Sequence, residues 1–317
     1  MLDNMVFSVN MVLPIFLVML AGWLMRRFNV VSAEFVKTGN ALVFFFALPA
    51  SLFLSAYRAD ISQVLNAKFV LFAVAVTIIT FIIVWTAAEL FIKDKTVIGT
   101  VVQAASRGNF AILGMPLLAN LAGEAGSQTG VLVITFVVPL YSIFSIIALS
   151  ARSNRPQKVS PLGLLKTVFS NRMILGILLG TALALLRVPL PSIVTKPLDT
   201  IAQLTTPLSL LCLGGSINLN ERGEKLTLAA VASALKLVVF PAVYLPIAYF
   251  LGFRGAELLT LLVMLGVPTA IASYAMAVQL GGDHTVASTS VVMTTLFSVF
   301  TLTFLIYIFK SLGLIPV

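Results

Sequence analysis

The chain has 317 residues, of which 60% are hydrophobic and 10% are charged, and its mean hydropathy is +1.09. Soluble domains carry about a quarter charged residues, so this composition excludes a soluble protein and predicts an all-α integral membrane protein. The formal net charge of +9 is distributed among the segments between apolar runs, which indicates membrane orientation and not nucleic-acid binding.

Ten apolar segments are long enough to cross a bilayer as helices of about 20 residues. The first half of the chain holds residues 6–25, 39–57, 69–92, 97–122 and 131–151. The second half holds residues 173–190, 198–219, 226–251, 257–280 and 286–311. The pattern predicts two five-helix units, 1–151 and 173–317, joined by a polar linker, 152–172, with an interfacial helix at 161–171.

The fourth and ninth predicted helices resemble each other in sequence. Residues 109–124, NFAILGMPLLANLAGE, align with residues 268–283, PTAIASYAMAVQLGGD, at an offset of 159. An offset of 158 aligns Pro49-Ala-Ser51 with Pro207-Leu-Ser209. Two matches at nearly the same spacing predict an internal duplication, and five helices in each half make it an inverted 5+5 repeat.

Both of these helices contain residues that interrupt helical structure. They are Gly108, Gly114 and Pro116 in the fourth helix, and Gly266 and Pro268 in the ninth. Proline removes a backbone donor, glycine loosens the backbone, and the freed groups need partners inside protein or beside water. The pattern therefore predicts two broken helices that cross near the membrane midplane and form a binding site.

Two basic residues and one amide are the main site candidates. Arg107 and Lys236 each lie ten residues into a predicted helix, about 15 Å deep in a core of ~30 Å. A charge at this depth indicates a site, although Arg107 is also suited to clamping free carbonyls and Lys236 to a structural pair or a neutral amine. Asn109 lies where a half-helix N-terminus favours an anion. Its counterpart is Pro268 or, one residue further, Thr269.

Ser51, Ser209 and Tyr274 are further polar candidates for substrate binding. The chain has one histidine and one cysteine, and we find no common zinc site, HExxH, GxSxG or phosphate-binding glycine pattern. We therefore predict no enzyme activity, no metal site and no cofactor. The coupling ion, a proton or sodium, stays open.

Positive charge predicts the orientation. With the N-terminus outside, the inner loops hold twice as many Lys and Arg residues as the outer loops. This places both termini outside and the central linker in the cytoplasm, in a multi-pass protein of the plasma (inner) membrane. The first apolar run lacks a basic leader and a small-residue cleavage site, so it is expected to be retained as a helix.

Several short motifs occur in the order found in one known family. They are Val12-Leu-Pro-Ile-Phe16 with Gly22, Ala47-Leu-Pro-Ala-Ser51, Ser106-Arg-Gly-Asn-Phe110, Gly114-Met-Pro-Leu117, Pro207 and Gly266-Val-Pro-Thr269. Through them the chain resembles the auxin efflux carrier family of the bile acid and auxin transporter superfamily, which includes plant PIN proteins and bacterial organic-anion permeases. The resemblance implies a homodimer, with scaffold helices 1, 2, 6 and 7 and transport helices 3–5 and 8–10. It also implies that Asn109 and Thr269 bind a substrate carboxylate.

The leading functional hypothesis is a secondary carrier of small organic anions that works by an elevator-type movement in the bilayer. Arg107 and Lys236 favour a dicarboxylate such as malate or malonate over an aromatic, auxin-like monocarboxylate. One alternative is a sodium-coupled carrier of the bile-acid type, in which half-helix carbonyls hold the cation. A membrane sensor or scaffold is the alternative outside transport.

Overall fold

The computed structural model describes residue 14 and residues 17–58, 67–152, 172–216 and 223–315. These residues are helical, with no strand among them. The predicted interfacial helix at 161–171 lies outside the described residues. The helices are α1 (17–27), α2 (Ala33–Tyr57), α3 (Ala67–Phe91), α4 (Ile98–Ser106), α5 (Phe110–Ala151), α6 (Arg172–Leu185), α7 (Ser192–Gln203), α8 (Thr205–Ser216), α9 (Glu224–Phe250), α10 (Gly255–Gly266), α11 (Ala272–Leu280) and α12 (His284–Ser311).

Five of the described helices, α2, α3, α5, α9 and α12, are long and apolar enough to cross a membrane. Two shorter helices, α6 and α10, are also apolar. The prediction of an all-helical, multi-pass membrane protein is therefore confirmed. The count of ten membrane-spanning helices and the inverted relation of the two halves stay predictions.

Three of the long helices contain a π turn two residues before a proline. The π turns are Val43–Ala47, Phe110–Gly114 and Leu235–Val239, and they precede Pro49, Pro116 and Pro241. Proline has no N–H, and its ring clashes with the carbonyl four residues earlier. The helix widens to relieve that clash, so the residue before each proline bonds to the carbonyl five residues back.

The helices pack in two groups. The first group contains α1, α2, α6, α7 and α8, and the second contains α3, α4, α5, α9, α10 and α12. Within the first group, Gly22 and Gly214 bring α1 and α8 into backbone contact, and Gly176 and Gly180 do the same for α6 against α2. Small residues permit such close approach in membranes. α11 contacts helices of both groups, and α5 also touches α2 and α6.

The predicted fourth and fifth helices are divided differently in the structure. α5 runs from Phe110 to Ala151, and its backbone leaves helical geometry only at Gly123 (φ 55°, ψ −131°). A left-handed φ favours glycine, which has no Cβ to clash. The fourth predicted helix therefore corresponds to α4 together with the part of α5 before Gly123.

Charged side chains cluster at the ends of α3 and α5. Glu89 accepts from Arg152 at 2.6 Å and lies 3.7 Å from Lys95. In the loop between α3 and α4, the Thr96 hydroxyl donates to Asp94 at 2.6 Å, and this bond lowers the pKa of the Asp94 carboxyl. These contacts tie the start of α4 to the ends of α3 and α5.

Candidate functional site

The first interruption lies between α4 and α5. Arg107 has extended backbone angles (φ −93°, ψ 118°), and Asn109 is also non-helical (φ −88°, ψ 51°). The π turn Phe110–Gly114 begins α5 directly after them. The interruption is thus Arg107–Asn109. Pro116 is exposed and follows seven residues later, in the first turn of an α-helical segment, where proline is tolerated.

The second interruption lies between α10 and α11. α10 ends at Gly266, and Val267 is extended (φ −63°, ψ 145°). A proline disfavours helical angles in the residue before it, so Pro268 explains the end of α10. Every residue from 258 to 277 is buried. Non-helical backbone at membrane depth requires such a position inside protein.

The two interruptions run antiparallel and exchange backbone hydrogen bonds. The Asn109 N–H donates to the Pro268 carbonyl at 2.8 Å, and the Ala270 N–H donates to the Arg107 carbonyl at 3.4 Å. Between these bonds, the glycine of the first interruption faces Thr269. Asn109 and Thr269 are each the third residue after the preceding helix. This spacing favours pairing Asn109 with Thr269 and not with Pro268.

Thr269 is committed to contacts within the protein. Its hydroxyl donates to the Ala104 carbonyl in the last turn of α4 at 2.7 Å. Its N–H donates to the Thr294 hydroxyl of α12 at 3.1 Å. With its proton used on Ala104, the Thr269 hydroxyl does not donate to a substrate carboxylate in this conformation.

Arg107 is buried, with only 6% of the residue exposed. Its Nη1 donates to the Ser145 hydroxyl at 3.4 Å and contacts the Met276 sulfur. Both partners are neutral, and no ion pair within the described residues includes Arg107. The guanidinium is therefore a buried positive charge without a counter-ion among the described residues, which is a costly arrangement.

Lys236 is also buried, with 3% exposed, and lies in the π turn of α9. Its Nζ donates to the Leu265 carbonyl at 2.9 Å and the Met264 carbonyl at 3.5 Å, at the end of α10. The ion pairs of the described residues do not include it. The sequence left two roles open for Lys236, a substrate contact and a structural pair or neutral amine, and in this structure its Nζ bonds to carbonyls.

Asn109 offers an unused donor. The residue is 4% exposed, and its Nδ2 has no hydrogen-bond partner in the described structure. The same holds for the Ser273 hydroxyl on α11, the Ser209 hydroxyl on α8 and both side-chain polar atoms of Asn40 on α2. α11 packs against α2 and α8. Since buried polar groups are nearly always bonded, each of these atoms is suited to bonding a polar ligand or water.

Sequence reasoning did not select Asn40, although an amide at the start of a long apolar run was a usable signal. Tyr274, a predicted candidate, is buried on α11 beside Ser273. Ser51 is half-buried and lines a different cavity of about 280 Å³, together with Arg58 and Asp199. No residue of the two interruptions lines that cavity, so the structure does not group Ser51 with them.

The glycines of the site are needed for close packing. None of Gly108, Gly114 and Gly266 has a positive φ. A Cβ on Gly114 would lie 2.7 Å from the Phe110 ring, and a Cβ on Gly266 would lie 2.5 Å from Leu302. A larger residue at Gly114 or Gly266 would therefore require the Phe110 ring or the Leu302 side chain to shift, whereas backbone strain would not oppose it.

Residues 7–306 match the model of a family described as membrane transport protein. A Rhizobium meliloti (strain 1021) protein described as "Putative malonate transporter" is 26% identical over 97% of both chains. An "Uncharacterized transporter" of Methanothermobacter thermautotrophicus is 24% identical, covering 93% of this chain and 96% of its own. A Methanocaldococcus jannaschii transporter, also described as uncharacterized, is 23% identical, covering 91% of this chain and 94% of its own.

The family match spans nearly the whole chain, and the relatives are aligned over almost their full length. It confirms the resemblance carried by the short motifs around Pro49, Asn109 and Thr269. The chain belongs to the membrane transport protein family of auxin efflux carriers and is a multi-pass membrane transporter.

Proposed function

We propose that the protein is a secondary carrier of small dicarboxylates such as malonate or malate. The observation that carries this proposal is the buried Arg107 guanidinium, which has no acidic partner within the described residues. The Asn109 amide, two residues away at the same interruption, has an unused Nδ2 donor. Arg107 would bind one carboxylate, and Asn109 with nearby backbone N–H groups would bind the other.

The charge balance supports a dianion. A monocarboxylate needs only the Asn109 amide and the partial charge of a half-helix N-terminus. A second carboxylate without a counter-ion would cost several kcal/mol in a buried site. Arg107 supplies that counter-ion, and a guanidinium is suited to bidentate capture of a carboxylate. The name of the Rhizobium meliloti relative contains malonate, a small dicarboxylate, which agrees with this preference.

The two helix groups support an elevator-type mechanism. We propose that the first group, α1, α2, α6, α7 and α8, is the scaffold and forms a homodimer, while the second group moves with the two interruptions. α11 would carry the unpartnered Ser273 hydroxyl past Asn40 and Ser209 on the scaffold helices α2 and α8. The cavity beside Lys236 holds about 10 Å³, which is too little for a dicarboxylate.

We further propose that both termini lie outside the plasma membrane and the central linker in the cytoplasm, since the positive charges favour that orientation. The proposed function is tested by flux in proteoliposomes loaded with labelled malonate, malate or indole acetate. We expect uptake of labelled malonate and malate, and we expect unlabelled dicarboxylates to inhibit this uptake. Transport of indole acetate alone would contradict the proposed substrate class, and no flux of any anion would contradict the carrier.

A further inference from the structure

The end of α10 is held by the side-chain nitrogen of Lys236. The last carbonyls of a helix have no intrahelical partner and carry its partial negative charge. The Val263 carbonyl accepts from the Val267 N–H at 2.9 Å. The next two carbonyls, of Met264 and Leu265, accept from Lys236 Nζ. The ammonium therefore lies at the negative end of a buried half-helix.

The end of α4, at the other interruption, is satisfied by neutral donors. The Gln103 carbonyl accepts from the Arg107 N–H at 3.0 Å, and the Ala104 carbonyl accepts from the Thr269 hydroxyl at 2.7 Å. Backbone and hydroxyl donors are thus sufficient at one half-helix end. A broken helix does not by itself require a cation, so the Lys236 ammonium at the end of α10 needs a separate explanation.

In carriers with broken helices, half-helix C-terminal carbonyls coordinate the coupling cation. Lys236 Nζ places a monovalent charge at this type of site. A small cavity adjoins it, with room for about one water molecule and with no acidic side chain in its lining. Its polar lining consists of the hydroxyls of Thr77, Thr80, Ser106 and Tyr141 and of Lys236.

The ammonium also lies against the first interruption. A Cβ added to Gly108 would be 3.4 Å from Lys236 Nζ and 3.4 Å from the Met264 carbonyl. The charge is therefore next to the backbone segment that carries Arg107 and Asn109. Removing it would act on both interruptions at once.

We propose that the Lys236 ammonium is a tethered counter-ion at the end of α10, in the place of a coupling Na⁺, so that this protein transports without sodium. The inference rests on the proposed function as a carrier. Because the amine is covalently attached, it cannot leave the site and move down a gradient. A Na⁺ gradient therefore has no route to drive transport through this site.

Lys236→Ala tests the inference, because it removes the ammonium and leaves the two carbonyls and the space of the side chain. The apparent Tm of purified protein is measured in sodium, methylammonium or choline chloride at the same ionic strength. We expect the parent to have one Tm in all three salts. The variant should unfold at a lower temperature in choline and gain about 2–4 °C in methylammonium or sodium, as for a bound cation.

Lys68→Ala is the matched control. Lys68 Nζ also donates to a carbonyl at a helix end, that of Leu251 after α9, but the residue is exposed. Water replaces an exposed donor, so this variant should show no difference between the salts. A cation response in Lys68→Ala equal to that in Lys236→Ala would overturn the inference, because the effect would then be non-specific.

Flux gives the second measurement. The parent should transport dicarboxylate equally with sodium or choline on both sides of the membrane. In choline, the flux of Lys236→Ala should be at least about tenfold lower than that of the parent, a difference equivalent to about 1.4 kcal/mol. Methylammonium or sodium should restore part of this flux. A saturable requirement of the parent for sodium, in Tm or in flux, would overturn the inference even if Lys236→Ala does not fold.

Lys236→Met fills the same space without charge. If it is as stable and as active as the parent in choline, the ammonium is not needed and the inference is wrong. The Tm measurements need no substrate, so a cation response without dicarboxylate flux would support the tethered counter-ion and contradict the proposed function. Sodium-dependent dicarboxylate flux in the parent would support the proposed function and contradict the tethered counter-ion.

Discussion

Arg107→Gln separates a substrate-binding role of the guanidinium from a structural one. The substitution removes the charge and keeps a polar amide. The observed partners of Arg107, Ser145 and Met276, are neutral, so no buried anion is left without a counter-ion. Burying an isolated charge is costly, so the apparent Tm without substrate should stay the same or rise.

Binding should change in the opposite direction. A hydrogen bond to a charged group contributes about 1.5–3 kcal/mol. Its loss should raise the Kd for malonate or malate by about 10-fold to 150-fold. Calorimetric titration of the purified protein measures this effect. A monocarboxylate, which needs only Asn109 and half-helix N–H groups, should lose much less affinity.

Arg254→Gln serves as the control. Arg254 is exposed, lies over the Tyr249 ring and donates to the Tyr249 and Phe253 carbonyls. We expect no change in Kd for this variant. If Arg107→Gln binds dicarboxylates like the parent, or if the parent prefers an aromatic monocarboxylate, the reasoning is wrong and Arg107 has a structural role.

Three further predictions concern packing, binding and topology. Thr269→Val should lower stability by about 1–3 kcal/mol, measured as a lower Tm, since it leaves a buried carbonyl of α4 unbonded. Asn109→Ala should leave the Tm nearly unchanged, because its Nδ2 has no partner, but should weaken carboxylate binding in titrations by about 1.5–3 kcal/mol, the range for a hydrogen bond to a charged group. Equal loss of stability in both variants would contradict this contrast. Reporter fusions after Ala151 should read cytoplasmic and fusions at Val317 external; two cytoplasmic termini would refute the charge argument.

Local sequence determined the class of this protein and the location of its interruptions. Apolar composition alone identifies membrane helices, because a bilayer admits few charges. Proline acts on its own neighbours, so the end of α10 before Pro268 was predictable. The motif around Asn109 likewise located the first interruption, although the structure places it before Pro116 and not at it.

Tertiary structure alone decided which groups meet. Lys236 bonds to carbonyls 28 and 29 residues away on another helix, and Thr269 bonds to a carbonyl 165 residues away. The unpartnered atoms of Asn40 and Asn109 are likewise a property of packing. Sequence shows that a polar side chain is deep in the membrane, but its partner depends on how helices distant in the chain approach one another. That approach is set by contacts such as that of Gly214 on α8 with the backbone of α1, which no local pattern specifies.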